Sequence, residues 1–144
     1  MKSSGIDIRA MVAADYPRAI DLWQRTEGIG LNESDTESAI GAFLERNPGL
    51  SALATTPTRD VIGVVLCGHD GRRGYLHHLA VARSHRGGGV ARSLIEFCFA
   101  RLNDADIPKC NIFVYRENED GVGFWRHNGW VEQTWKIFQK RVDA

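Results

Sequence analysis

The chain opens on alternation: Ile6, Ile8 and Ala10 are separated by Asp7 and Arg9, a period of two that predicts a short strand with one apolar face. The period then lengthens. Asp15, Tyr16 and Pro17 form a helix start with proline in the first turn, and Ala19, Ile20, Leu22 and Trp23 continue at helical spacing. Thr26 to Asp35 carries two glycines and no periodicity, and reads as a loop. Ser34 and Glu37 have capping-box spacing ahead of a second helix with Ile40, Phe43 and Leu44 on its apolar stripe, and Asn47, Pro48 and Gly49 end it. Leu50–Thr55 and Val61–Cys67 are β-rich runs joined by TPTRD, Gly68–Gly74 is a second tight turn, and Tyr75–Val81 is the next strand. Three strands with short connections imply an antiparallel meander.

After the polar loop that follows Val81, an amphipathic helix is predicted from about Gly89 to Asn103, with Leu94, Ile95, Phe97, Cys98 and Leu102 buried. Asp104–Pro108 links it to a strand at Asn111–Tyr115 that returns beside the previous one as a βαβ unit. A short helix near Gly121–His127 ends at Asn128 and Gly129, and Trp130–Gln133 and Trp135–Arg141 are predicted to close the chain as strands. The fold class expected is mixed α/β (α+β) in a single domain, residues 1–144.

Composition narrows the partners. At 144 residues, 43% hydrophobic and 25% charged, the chain has the make-up of a soluble globular protein. Eighteen basic residues balance eighteen acidic ones, so no overall field draws it to nucleic acid or a membrane, and any preference for anions must be local. There is no apolar run long enough to span a bilayer and no signal-like core in MKSSGIDIRAM, which gives the expectation of a cytoplasmic protein. Cys67, Cys98 and Cys110 lie in apolar stretches without paired metal spacing and are expected to be buried free thiols, and no metal is expected.

The most informative stretch is 76–94, LHHLAVARSHRGGGVARSL, a strand that runs through a glycine-rich turn into a helix. Amides left free in the first helical turn attract anions, and Gly87, Gly88 and Gly89 permit close approach by a bulky one. Arg83, Arg86 and Arg92 add donors suited to phosphate, so a polyphosphate ligand is the first reading. The stretch lacks G-x-x-x-x-G-K-S/T and G-x-G-x-x-G, against a nucleotide P-loop or a dinucleotide fold.

What it contains is Arg86-x-x-Gly89-x-Ala91 directly after a strand ending in LAV. This resembles the Q/R-x-x-G-x-G/A loop of the GCN5-related N-acetyltransferase (GNAT) family, and Asn118, Gly121, Trp125, Gly129 and Trp130 match that family's N-x-x-A-x-x-x-Y-x-x-x-G-F region in outline. HDGRRG, HHLAV and FWRHNGW together resemble a branch of small bacterial members of the YpeA type. The resemblance implies a mostly antiparallel sheet of six to seven strands with about four helices and a βαβ core that binds acyl-CoA. It implies acetyl-CoA as donor, with the pyrophosphate on the amides of Gly87, Gly88, Gly89, Val90 and Ala91 beside Arg86. Leu79, Ala80 and Val81 would offer main-chain groups to the pantetheine arm, and Asn118 and Trp125 would border it. For Asn118 the plainer alternative is a helix N-cap, and for the glycines a tight turn.

Transfer by direct attack of an amine on the thioester needs a base, and the strand at 75–81 can carry one. Alternation predicts Tyr75, His77 and Leu79 on one face and Leu76, His78 and Ala80 on the other, so that a single histidine faces the acceptor. In the family, bases recur at positions matching Tyr75 and His77; His77 is the expected base, and a hydrogen-bonded structural histidine is the alternative. Trp125 stands where family members carry the tyrosine taken as general acid, which leaves solvent, the substrate, Tyr115 or Tyr75 to protonate the thiolate. Glu27, Glu33, Asp35 and Asp70 are candidates for an acidic acceptor groove, or are simply solvated loop charges. The expected protein is an acetyl-CoA-dependent N-acetyltransferase working through a ternary complex on a small-molecule amine or a peptide, with a homodimer as the expected assembly. A non-catalytic acyl-CoA-binding module and a protein N-terminal acetyltransferase are the alternatives.

Overall fold

The structure, a computed structural model, describes residues 5–143; the expected domain limits, 1 and 144, lie outside that range. The strands are β1 (Asp7–Ala10), β2 (Ala52–Thr55), β3 (Val61–His69), β4 (Gly74–Val81) and β5 (Cys110–Ile112). The helices are α1 (Tyr16–Gln24), α2 (Glu37–Arg46), α3 (Val90–Asp104) and α4 (Glu119–His127). Sheet order follows the chain, β1-β2-β3-β4-β5, with every pair antiparallel except the parallel β4–β5 pair around α3. The mixed α/β class and the βαβ unit are as expected.

Two compact units emerge, one ending at Phe113 and one beginning at Val114. In the first, β3 is central and buried along almost its whole length. That is why VIGVVLCG is a continuous apolar run: α1 and α3 both lie against this strand. Met11, Leu22, Trp23, Ile40, Leu44, Leu53, Val64 and Leu66 form one hydrophobic cluster. On α3, Val90 and Leu94 approach β3 so closely that a Cβ at Gly63 would lie 3.0 Å from each. Asp15 is buried; burial alone would raise its pKa, but two bonds of 2.9 and 2.8 Å from the Arg9 guanidinium hold the carboxyl below its usual range. The pair fastens the end of β1 to the start of α1.

Three expectations need correction. The sheet has five strands among the described residues, not six to seven, because 130–133 and 135–141 form no strand. These residues have the β-branched and aromatic content of strands, but such content becomes a strand only where an edge is there to pair with it. The cap of α2 is not Ser34 with Glu37: Thr36 caps it, accepting from the Ala39 N–H at 3.2 Å, while Asn32 caps a separate 3-10 turn at Glu33–Asp35. Finally, β4 does not alternate. Val64 faces Ala80, but Leu66 faces His77, so two residues of β4, His78 and Leu79, oppose Val65 alone. His78 takes φ 55°, the left-handed conformation of a bulge. His77 and Ala80 therefore share a face three residues apart, and His77 and Leu79 do not.

Candidate active site

The bulge brings both histidines to the side of the sheet that carries α1 and α2. His77, opposite Leu66, sits in a row of rings: Phe43 of α2 meets it edge-on at 6.0 Å, Tyr75 stacks on it at 6.4 Å, and Phe113 lies 6.5 Å away. Burial, followed by the neighbouring His78, pushes its pKa below the ordinary histidine value. At neutral pH it is an uncharged imidazole able to accept a proton.

His78 is held from three directions. Its Nε2 lies 2.9 Å from Oδ1 of the buried Asp35, its ring meets Trp23 edge-on at 5.2 Å, and the Trp23 indole N–H donates to its carbonyl at 2.8 Å. Asp35 in turn accepts the Asn32 N–H at 3.0 Å, and the Tyr16 hydroxyl donates to its carbonyl at 2.7 Å. Two histidines, not one, thus face this side. The hydrogen bond and ring contact tie the His78 side chain to Asp35 and Trp23.

Beyond the bulge, β4 parts from β5. Their ladder covers Gly74–Leu76 against Cys110–Ile112, so among the described residues the β5-side edge of β4 has no strand neighbour from His77 to Val81. This edge contains Leu79, Ala80 and Val81, and leads through a 3-10 turn at Arg83–His85 to the glycines. Gly87 and Gly89 have φ 83° and 86°, which accounts for glycine at both, and no atom lies within 4 Å of a Cβ added at either. Gly89 is the N-cap of α3 and brings no side-chain cap, so the first-turn amides, Val90 and Ala91 among them, depend on an acceptor from outside the helix. Arg86 flanks them, with its Nε donating to the Val81 carbonyl at 3.0 Å and its guanidinium to Glu27 at 2.9 Å. Arg83 reaches the same carboxylate at 3.2 Å.

The second unit holds the other sequence-predicted residues. Asn118 caps α4, accepting from the Gly121 N–H at 3.0 Å, and Gly121 is required there because any Cβ would strike the Asn118 amide. Trp125 is buried with its ring edge-on to Phe124 and Trp130, and Tyr115 is exposed. Among the cysteines, Cys67 and Cys98 are buried; contact with Cys67 and burial raise the Cys98 thiol well above its ordinary value, and burial pushes Cys110 up to about 12. At neutral pH the Cys98 and Cys110 thiols stay protonated and are poor nucleophiles.

A family model described as acetyltransferase (GNAT) family matches residues 13–130. The chain belongs to the GNAT acetyltransferase family. As a family member it is an acyltransferase of the N-acetyltransferase kind. Among its relatives, an acetyltransferase of Yersinia enterocolitica is 28% identical over 137 residues, which span 95% of this chain and 96% of that one. Ard1 from Thermoplasma volcanium superposes with a TM-score of 0.78 at 16% identity, covering 90% of this chain and 85% of that one. AAC(6')-Iy, solved with the bisubstrate analog CoA-S-monomethyl-acetylneamine, superposes with a TM-score of 0.76 at 21% identity, covering 96% and 99%. At these identities the two structures speak for the shared GNAT fold.

Within this GNAT domain, the structure adds residues that sequence reasoning passed over or misread. Phe43 and Phe113 wall His77, and Trp23 and Asp35 fix the bulge. Asp35, a candidate for an acidic groove, is buried against His78; Glu27 is occupied by Arg83 and Arg86; and Asp70 caps its own turn, accepting the N–H groups of Arg72 and Arg73 at 2.8 and 2.9 Å. The one sequence signal for the bulge was the HH pair within an otherwise alternating strand. Among the described residues no three His, Cys, Asp or Glu side chains gather as a metal group, and no helix is long and apolar enough to cross a membrane.

Proposed function

We propose that the protein moves the acetyl group of acetyl-CoA directly to a primary amine in a ternary complex, with His77 as the base. The observation that carries this reading is the setting of His77, uncharged among Phe43, Tyr75 and Phe113 and on the strand that leads to the glycine loop. Amides of residues 87 to 91 receive the pyrophosphate, Arg86 exchanges Glu27 for phosphate oxygen, and the unpaired edge at Leu79–Val81 takes the pantetheine arm. The CoA-based analog in AAC(6')-Iy supports the same donor here. The two units serve one acetyltransferase domain, a reading that a family match running from 13 to 130 supports.

In the reaction, the amine nitrogen bonds to the thioester carbonyl carbon, the C–S bond breaks, and the thiolate leaves with coenzyme A. His77 takes the proton shed by the ammonium. The thiolate is protonated by solvent or by the Tyr75 hydroxyl. The raised thiols of Cys98 and Cys110 favour this one-step route over an acetyl-enzyme. Free thiol released from acetyl-CoA, followed by absorbance after thiol labelling, is expected only when an amine is supplied. Mass spectrometry showing an acetylated cysteine that passes its acetyl group to added amine would overturn the ternary mechanism.

A further inference from the structure

Beside His77 is an open pocket of ≈ 180 Å³, below the ~300–1,000 Å³ usual for drug-sized ligands, so it suits a single small molecule. Phe43 and Tyr75 wall it, with His77 between them. Its size depends on Gly68, where a Cβ would come within 2.8 Å of both Phe43 and Asn47 and push the lining apart. Two charged groups of opposite sign line the pocket, Arg46 and Asp70. Asp70 is committed to its own turn by two backbone bonds, which also hold its carboxyl below the usual range. The Arg46 guanidinium, exposed in the last turn of α2, makes no hydrogen bond or ion pair among the described residues.

The charge balance excludes one kind of acceptor and favours another. A polycation needs several free carboxylates, and Asp70 is the one carboxylate among the residues lining this pocket, while Asp35 is engaged by His78 and Glu27 by two arginines away from it. An idle guanidinium next to an aromatic wall and a neutral base has the opposite complement: a carboxylate, an apolar group and an amine on one small molecule. We propose that the acceptor is a free α-amino acid with an apolar or aromatic side chain, its carboxylate on Arg46, its side chain against Phe43 and Tyr75, and its amine at His77. This rests on His77 marking the acceptor side of the acetyltransferase.

The test compares L-phenylalanine, its C-terminal amide, 2-phenylethylamine and spermidine as acceptors for acetyl-CoA. The acid is expected to have a kcat/KM at least about tenfold above the other three, the scale of one charge-assisted hydrogen bond. Arg46→Ala should bring the acid down to the level of the amide, mainly through KM, and Arg46→Lys should restore part of the preference; unchanged melting temperatures would show that both variants fold. Equal or better use of the amide would point to a peptide N-terminus and overturn the proposal, as would preference for spermidine or an acid preference that survives Arg46→Ala. If none of the four is acetylated while acetyl-CoA still stabilises the protein, the proposal fails and the donor reading stands.

Discussion

His77 gives the most direct reading at the scale of one residue, because the two largest influences on its proton affinity have the same sign and outweigh the opposing charge of Asp35. Burial removes the water that would solvate an imidazolium, and His78 adds unfavourable charge nearby. The free enzyme should therefore keep an active base below the ordinary histidine pKa, and the acid limb of kcat/KM against pH should fall at a pH under about 6.5. His77→Ala should lower turnover by about 10²–10⁴-fold, the usual contribution of a general base, and abolish that limb. A variant with the limb unchanged would remove His77 from the mechanism. The same shift bears on stability with a definite sign. The unfolded chain binds the proton at higher pH than the folded one, so this contribution is complete above about 6.5 and is lost as pH falls from there toward the lowered folded value.

Among the elements, β4 shows where sequence reasoning reaches its limit. Its residues, its place before α3 and its parallel return to β5 were legible from β-rich content and the switch in hydrophobic period. The glycine loop was legible because glycine is the residue for positive φ, which Gly87 and Gly89 adopt. The bulge was not, since a histidine at φ 55° is unfavourable locally and the partners that contact it, Trp23 and Asp35, lie far along the chain. The Glu27 contacts are not legible for the same reason, since Arg83 and Arg86 lie 56 and 59 residues further along the chain. Residues 130–141 erred in the other direction, since local content suggested strands that no sheet edge takes up. If Asp35 and Trp23 hold the bulge, Asp35→Ala leaves the His78 ring nitrogen without its acceptor and should destabilise the fold by ~1–3 kcal/mol in urea titrations, whereas Asp35→Asn, which keeps an acceptor oxygen, should cost less. A loss under about 0.5 kcal/mol for the alanine variant would mean that the bulge stands without the pair.

For the whole molecule, donor binding is a question of linkage between ligand and folding. Acetyl-CoA that engages only the folded chain stabilises it by ~2.7 kcal/mol at one hundred times Kd, which for a chain of this length raises Tm by about 5–10 °C. Gly89→Trp tests where the ligand sits, because the space off Gly89 is open and an indole there would occupy the approach to the α3 amides. The variant also forces a bulky residue to φ 86°, a cost of ~1–2 kcal/mol, so its own Tm must fall whatever the ligand does. The quantity to compare is therefore the ligand-induced increment, measured by thermal denaturation with and without acetyl-CoA for each protein. The increment should disappear in Gly89→Trp and persist in Asp35→Ala, whose defect lies in β4. Equal increments in parent and Gly89→Trp would place the donor away from the α3 N-terminus, and no increment in the parent at millimolar acetyl-CoA would remove acetyl-CoA as its donor.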